Sequence, residues 1–467
     1  MTLQPVVGLE IHVQLKTRTK LFCGDLSEYG ADPNTNVCPV CLGLPGALPV
    51  LNGAAVKLAV RAAIGLGCTI HQESVFARKN YFYPDLPKGY QITQFDRPIA
   101  TAGSLHGVKI RRIHMEEDAG KLLHDRLAQR TAIDLNRAGT PLIEIVTEPD
   151  IYSAADARAF LNKLKQLLQY LDVSDCDMEK GSLRVDANIS LRPAGSDVLG
   201  TKTELKNMNS FANAERALEF EIDRQRAVLE TGGVIEQQTL LWDAVNSQAR
   251  PMRSKEESHD YRYFPDPDLP PLVLTTAEIE AIRVELPELP AAKAKRFAQA
   301  YQLPDYDVDV LTADAAVADY FEAVAGESGD AKSASNWIMT HVMSSLNARG
   351  VSIDELGVLP SGLAELIMLV NRNVVSATAA RRVFAEMQNT GKPAAAVVES
   401  LGLTQVSDDE QIRRWASEVT SENADVVARY RDGDAKLFGF LMGELMKKSK
   451  GKADPRRASE VMRAALS

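Results

Sequence analysis

The sequence has no long apolar run, few cysteines and a deficit of positive charge. Its best candidate for a membrane span, residues 362–370, is far shorter than the roughly 20 residues that cross a bilayer, and it contains Glu365. Residues 1–15 lack a basic segment ahead of an apolar one, so we expect neither a secretory leader nor a membrane role. With 53 basic and 63 acidic residues the net charge is −10, which excludes coating of nucleic acid through overall charge. Any contact with RNA must therefore be regional.

The cysteines are few and unevenly spaced. Five in a chain of 467 residues is an odd number, which is typical of reduced thiols and favours the cytoplasm. Cys23, Cys38 and Cys41 are clustered, and the last two form a C-x2-C pair. Asp25 could supply a fourth ligand, although mixed Cys and Asp sites are less usual than four-Cys sites. The sequence therefore leaves two interpretations of the cluster: a structural zinc site, or three thiols without a metal.

Alternation of apolar and polar residues predicts strands in the first part of the chain. Residues 7–15 and 183–191 carry apolar side chains at every odd position, as a strand with one buried face does. Residues 201–206 alternate more weakly. The polar faces of these three segments carry Glu10, His12, Arg184, Asp186, Asn188, Lys202, Glu204 and Lys206.

Helical patterns separate the strands and then dominate the chain. Ser153 and Ser210 are placed to cap two amphipathic helices. Proline-rich segments precede residue 290, where we expect a domain boundary, and a second boundary is expected near 402–408. The pattern predicts an α+β fold, with a mainly antiparallel sheet domain over 1–290, a helical domain over 291–405 and a helical tail domain over 406–467.

Three adjacent carboxylates, Glu116, Glu117 and Asp118, follow an alternating segment over 108–113. Like charges repel, so a bound cation is the usual reason to hold them together, and oxygen ligands favour Mg2+. Separate solvated charges explain the pattern equally well, because spacing cannot show that the strands are neighbours. The other candidate ligands for such an ion are Glu10, His12, Asp186 and Glu204.

Residues 78–90 mix basic side chains with aromatic ones and turn residues. Arg78, Lys79 and Lys88 could hold phosphates while the rings stack on a base, but rings packed in the core are the commoner arrangement. The sequence contains neither a G-x-S-x-G motif nor a P-loop, so an ATP-dependent step would need another scaffold.

Five long motifs resemble the B subunit of the tRNA-dependent amidotransferases, and the resemblance extends over essentially the whole chain. This family makes Gln-tRNA(Gln) and Asn-tRNA(Asn) from misacylated Glu-tRNA(Gln) and Asp-tRNA(Asn). Ordered motifs of this length are far more specific than any short pattern. They lie at residues 8–12, 79–90, 112–121, 134–142 and 258–268.

The resemblance implies a ligase that forms a carbon–nitrogen bond with glutamine as the amide donor. It further implies a cradle-like catalytic domain, ATP and Mg2+, an amidase-like A subunit that releases ammonia, and a small C subunit. The B subunit would bind the tRNA and phosphorylate the side-chain carboxylate of its aminoacyl group, which ammonia then attacks. Whether the glutamyl or the aspartyl substrate is the physiological one stays open.

The resemblance also gives roles to the charged positions. As Mg2+ ligands we hypothesise Glu10, His12 and Glu117, with Glu116, Asp186 and Glu204 as further or indirect ligands. The expected catalytic residues are Glu10, His12, Glu117, Lys79 and Lys88. The expected ATP- or phosphate-binding residues are Arg184, Lys206 and Asn188. The expected tRNA-binding residues of the tail are Lys436, Lys447, Lys448 and Lys450.

This chain departs from the family at the thiol cluster, because relatives commonly carry two cysteines where Cys23 and Asp25 stand. The expected zinc site is therefore weakened or absent. Two other functions compete with the ligase: a non-catalytic tRNA scaffold, which would not need Glu10, Glu117 and Asp186 on open faces, and a metallohydrolase using Glu10 and His12, which would act without ATP.

Overall fold

The computed structural model describes residues 2–127, 130–252, 260–405, 408–449 and 451–466. The chain divides into two compact units, residues 1–290 and 291–467. The strands, all in the first unit, are β1 Leu3–Gln14, β2 Thr69–Ile70, β3 Glu73–Ser74, β4 Phe76–Asn80, β5 Tyr90–Gln94, β6 Ala100–Leu105, β7 Val108–Glu117, β8 Lys121–Leu127, β9 Arg130–Asp134, β10 Pro141–Thr147, β11 Leu183–Pro193, β12 Thr203–Lys206, β13 Thr239–Asp243, β14 Gln248–Pro251, β15 Phe264–Pro265 and β16 Leu272–Val273.

The helices of the first unit are α1 Pro39–Leu42, α2 Gly53–Gly65, α3 Ala154–Tyr170, α4 Phe211–Glu230 and α5 Thr276–Val284. The next helix begins at the unit boundary. The remaining helices are α6 Pro290–Tyr301, α7 Asp305–Leu311, α8 Ala315–Ser328, α9 Ala331–Trp337, α10 Met343–Arg349, α11 Pro360–Asn371, α12 Ala377–Thr390, α13 Ala394–Leu401, α14 Asp409–Glu422, α15 Ala424–Arg431, α16 Leu437–Lys448 and α17 Pro455–Leu466. A π-helical turn, Ile338–Val342, joins α9 to α10, and a 3-10 turn lies at Ile353–Glu355.

A nine-stranded sheet forms the first unit, in the order β14-β13-β12-β11-β1-β10-β7-β6-β2. Its strand pairs are antiparallel except β12 with β13. Because side chains alternate along a strand, β1 buries its odd residues, such as Leu9 and Ile11, in a core shared with α2, α3 and α4. Its even residues therefore occupy the opposite face of the sheet.

The two predicted helix caps hold α3 and α4 at their N-termini. The Ser153 hydroxyl accepts a hydrogen bond from the Asp156 N–H at 3.0 Å, and that of Ser210 accepts one from the Asn213 N–H at 3.1 Å. Helix α4 ends at Glu230, just before Gly232 and Gly233. The predicted α+β class, with an antiparallel sheet followed by helices, is confirmed.

The second unit contains two hydrophobic clusters, one drawn from residues 297–403 and one from residues 412–466. The division into a helical domain over 291–405 and a tail domain over 406–467 stays a prediction, as does the role given to each. Among the described residues no helix combines the length and apolar character that crossing a bilayer requires.

Candidate functional site

Strand register places ionisable side chains in rows across the open face of the sheet. His12 on β1 lies opposite Glu144 on β10, which lies opposite His114 on β7. On the other side of β1, Glu10 lies opposite Asp186 on β11. Four strands that are distant in sequence thus contribute to one charged patch.

Within this patch two histidines contact two glutamates. The Nε2 atom of His12 is 3.3 Å from Glu144 Oε2 and 3.5 Å from Glu116 Oε1. The Nε2 atom of His114 is 3.2 Å from the same Glu144 oxygen. One ligand atom each from His12, Glu116 and Glu144 lies within 4.8 Å of the other two, a spacing that suits a single cation.

Within the patch the pKa of Glu144 is lowered, whereas the pKa values of His12 and Glu10 are raised. Burial disfavours the ionised form of Glu144, but His114 and His12 outweigh burial and hold the pKa of this carboxyl well below its usual range. Burial alone would lower the pKa of His12, yet its hydrogen bond to Glu144 and the charge of Glu116 raise it. Burial, followed by repulsion from Glu144, raises the pKa of Glu10. A bound cation would relieve this excess of carboxylates.

These side chains line a cavity of about 310 Å³, which we call the central cavity. Its wall includes Lys79 from the predicted segment 78–90, and it includes the rings of Phe95 and of the segment after residue 260. Phe95 and Tyr263 stack with ring centroids 4.1 Å apart. The lining residues are Glu10, His12, Lys79, Thr93, Gln94, Phe95, Arg112, His114, Glu116, Glu144, Asp186, Glu204, Lys206, Tyr261 and Tyr263.

Three cations face the central cavity. The Lys79 ammonium lies 4.7 Å from the ring centre of Tyr261 and forms no salt bridge with a described carboxylate. Burial alone would lower the pKa of Lys79, but the charge of Glu116 outweighs it and raises that pKa. The buried Nε of Arg112 has no hydrogen-bond partner among the described residues. Lys206 is already paired, 2.8 Å from Asp186 and 2.9 Å from Glu204.

Glu117 does not join this cluster, because it follows Glu116 on β7 and so faces the other side of the sheet. There it pairs with Lys88, and the backbone N–H of Ile92 donates to its Oε1 at 3.0 Å. Both side chains are almost fully buried. Asp118 is also engaged elsewhere, with Arg184 at 2.9 Å.

The other expected phosphate-binding residue, Asn188, lies next to the central cavity. Its side-chain N–H donates to Glu10 Oε1 at 3.0 Å, so it orients a carboxylate of the cluster. Arg184 lies on the same face of β11, opposite His12, but its charge is directed at Asp118.

The thiol cluster is brought together as the sequence predicts. One ligand atom each from Cys23, Asp25, Cys38 and Cys41 lies within 4.8 Å of the others. The sulfur of Cys41 is 3.5 Å from that of Cys23 and 3.1 Å from a carboxylate oxygen of Asp25. The fully buried Lys20 donates to Cys41 Sγ at 3.3 Å. Four donors at this spacing fit a closed, four-coordinate metal site.

Three of the expected tRNA-binding lysines of the tail lie in or directly before α16. Lys447 is 3.5 Å from Glu444, and Lys448 contacts Glu418 at 3.0 Å and also pairs with Glu422. Lys436 precedes the helix and makes no ion pair with a described residue. Lys450 lies outside the described residues.

The residues of the central cavity that sequence reasoning missed include Glu144, His114 and Arg112. Glu144 is the one charged residue in the strand Pro141–Thr147, which is the signal that could have identified it. A charged residue in a buried strand needs a partner, and here two histidines supply it.

Comparison with known proteins points to one family over nearly the whole length. The GatB/GatE catalytic domain matches residues 5–280 and the GatB domain matches residues 319–466. The B subunit of the aspartyl/glutamyl-tRNA(Asn/Gln) amidotransferase of Chlorobium chlorochromatii (strain CaD3) is 52% identical over 470 residues, 99% of each chain. The proteins of the same name from Persephonella marina (strain DSM 14350 / EX-H1) and Thermoanaerobacter sp. (strain X514) are 49% and 48% identical, covering 100% of each chain.

Proposed function

The chain belongs to the family of amidotransferase B subunits that carry the GatB/GatE catalytic domain, and we propose from this that it acts on misacylated tRNA. This membership confirms the resemblance seen in the sequence motifs. The proposed reaction converts Glu-tRNA(Gln) to Gln-tRNA(Gln), Asp-tRNA(Asn) to Asn-tRNA(Asn), or both, as an ATP-dependent ligase with glutamine as the amide donor.

The grouping of His12, Glu116 and Glu144 in the central cavity is the observation that carries the proposal. Two carboxylates and one imidazole suit a divalent cation, and a magnesium site of this kind commonly leaves positions for phosphate oxygens. We therefore assign the ion to these three residues. Glu10, Asp186 and Glu204 lie around them and Glu117 lies apart.

The chemistry follows from the substrate. A side-chain carboxylate has no leaving group, so one of its oxygens first attacks the γ-phosphorus of ATP and ADP departs. The nitrogen of ammonia then attacks the acyl carbon, the carbon–oxygen bond to phosphate breaks, and the ammonium-like nitrogen loses a proton. Mg2+ at the cavity would neutralise charge on the transferred phosphoryl group.

The chain's own cations would position the anionic reactants. Lys79 stays protonated beside Glu116 and has no carboxylate partner among the described residues, and the buried Nε of Arg112 has no hydrogen-bond partner among them. Both side chains can therefore donate to phosphate oxygens without breaking an existing ion pair. Lys206 and Arg184 would first have to loosen their contacts with Asp186 and Asp118.

The remaining assignments rest on the family. We propose that an amidase-like A subunit supplies ammonia, that a small C subunit completes the complex, that the tail over 406–467 grips the tRNA, and that the complex works in the cytoplasm. We also propose structural zinc at Cys23, Cys38, Cys41 and Asp25, whose four donors converge. Elemental analysis of the protein should find zinc, and Cys38→Ser should remove it.

Phosphate release from γ-labelled ATP by the reconstituted complex tests the proposal. With misacylated tRNA, Glu144→Gln should lower release by about 100-fold or more, because it removes a charge that binds the cation. Glu219→Gln, an exposed change on α4, is the matched control and should leave release unchanged. Glutamine hydrolysis by the partner subunit should survive in both variants. Undiminished release by Glu144→Gln would place the kinase centre elsewhere and favour the scaffold function.

A further inference from the structure

The sulfur atoms of the thiol cluster lie close enough to react with one another. The Sγ atom of Cys41 lies 3.5 Å from that of Cys23 and 3.8 Å from that of Cys38. All three cysteines are free thiols. In a disulfide bond the two sulfurs are about 2.0 Å apart, so a bond at Cys41 needs only a small movement.

Cys41 belongs to both of these sulfur pairs and is the thiol best placed to attack. It is buried, whereas Cys23 and Cys38 are partly exposed. The Lys20 ammonium lies 3.3 Å from the Cys41 sulfur, and a neighbouring cation favours the thiolate, which is the nucleophilic form. An oxidant from solvent therefore reaches one of the other two sulfurs first, and Cys41 then attacks it.

Asp25 makes the sulfurs of the cluster more available to an oxidant. It places a carboxylate oxygen 3.1 Å from Cys41 Sγ, where a fourth thiol would complete a four-Cys site. Zinc is held well by soft thiolate ligands, so three thiolates and a carboxylate hold it less tightly than four thiolates. Loss of the ion leaves Cys23, whose sulfur is the nearer of the two to Cys41, as the partner for a bond.

The short helix that carries Cys41 also supports the buried ion pair of Lys88 with Glu117. Gly43 caps the C-terminus of α1, and a β-carbon there would lie 2.6 Å from Lys88 Cγ, so the Lys88 side chain packs directly on the helix end. A β-carbon at Gly139 would lie 3.9 Å from both Cys41 Sγ and Glu117 Oε2. The thiol cluster and the ion pair are therefore separated by little more than one residue, and a movement of Cys41 has to move the groups around the pair.

We infer that Cys23 and Cys41 are a site of reversible disulfide formation, and that the bond shifts Lys88 relative to Glu117. Hydrogen peroxide oxidises the Cys23 thiol to a sulfenic acid and releases one water. The Cys41 thiolate attacks that sulfur, the sulfur–oxygen bond breaks, and the released hydroxide takes a proton to form a second water. The two thiols thus lose two electrons and two protons, which one peroxide accepts. The inference does not depend on the proposed ATP-dependent function, because it is measured on the thiols and on Lys88.

Peptide mapping of the reconstituted complex, after treatment with a chelator and then with hydrogen peroxide, tests the bond. Cleavage after Glu28 separates Cys23 from the other two thiols of the cluster, so the expected bond joins two peptides that dithiothreitol releases. Cys38→Ser should give the same linked peptides, and Cys23→Ser should give none. Cys68→Ser is the matched control and should behave like the wild type, since Cys68 is partly exposed but lies outside the cluster. Zinc added before the peroxide should prevent the link, because it binds the same sulfurs.

Lysine acetylation followed by mass spectrometry tests the effect on Lys88. The side chain of Lys88 is almost fully buried and paired with Glu117, so it should react slowly in the reduced complex and several-fold faster after oxidation. Lys16, whose side chain is largely exposed, is the internal reference and should react equally in both states.

The outcomes separate the two halves of the inference. A bond between Cys38 and Cys41, which stays within one peptide, would overturn the choice of Cys23, and so would irreversible oxidation without any link. A link that forms while the reactivity of Lys88 stays the same would overturn the effect on the ion pair. Cys23→Ser and Cys38→Ser each remove one expected zinc ligand, so circular dichroism of both shows whether a missing link reflects the missing thiol or a loss of fold.

Discussion

Cys41 shows how neighbouring groups set the chemistry of one side chain. A hydrogen bond with Cys23 and the charge of Lys20, whose ammonium is 3.3 Å from the sulfur, help lower the pKa of the Cys41 thiol to about 6. No described residue acts on Cys68 in this way, and burial raises the pKa of its thiol to about 12. A thiolate is the form that binds a metal, so Cys41 is prepared for that role at neutral pH.

Thiolate absorbance measured against pH in chelator-treated protein checks this assignment. The difference between wild type and Cys41→Ser should rise with pH and reach half its height near pH 6, because the thiolate is the deprotonated form. The difference between wild type and Cys68→Ser should show no step until about pH 12. A Cys41 step above pH 8 would contradict the predicted charge state.

At the scale of elements, helices cover one face of the sheet and the site lies on the other face. Helix α3 packs its apolar side, including Phe160 and Leu164, into the core behind the sheet, while the opposite face of the sheet carries the central cavity. The helix therefore supports the strands without entering the site. Its N-terminus is fixed by Ser153, whose hydroxyl satisfies the otherwise unpaired N–H of Asp156.

Ser153→Ala should destabilise the first unit by about 1 kcal/mol, because it leaves that N–H without its partner. Urea unfolding followed by circular dichroism measures the loss. Ser153→Asp keeps an acceptor at the cap and adds charge that the helix dipole favours, so it is the matched control and should be near neutral. Equal loss in both variants would show that the hydrogen bond is not the cause.

At the scale of the whole molecule, the chain is acidic overall, but single lysines of the tail differ in whether they are paired with a carboxylate. The net charge of −10 disfavours RNA overall, so binding depends on local cations. In the tail, Lys448 is committed to Glu418 and Glu422, while Lys436 forms no ion pair with a described residue. Free lysines gain more from a phosphate than paired ones, because no ion pair has to break.

Deletion of residues 406–467 should weaken tRNA binding by the reconstituted complex while sparing glutamine hydrolysis. Filter binding at several salt concentrations measures both the affinity and its salt dependence, which should flatten as phosphate contacts are lost. Within the intact chain, Lys436→Ala should cost more affinity than the matched Lys448→Ala. Unchanged tRNA affinity after the deletion would refute the role given to the tail.

The sequence by itself determined the α+β class, the family and the open faces of β1 and β11. These follow from local rules: a period of two puts Glu10 and His12 on one face, and a serine before an apolar helix caps it. The sequence also predicted the thiol cluster, because a C-x2-C pair already supplies two metal ligands and needs few further ones nearby.

Only the tertiary structure decided which charges meet. Strand order is not encoded in spacing, so nothing local showed that β10 lies between β1 and β7 and brings Glu144 between His12 and His114. Glu116 and Glu117 look equivalent in sequence, yet strand alternation sends Glu116 to the central cavity and Glu117 to Lys88. Which of two adjacent carboxylates faces the cavity depends on which face of the sheet the helices cover, and that choice is made by long-range packing.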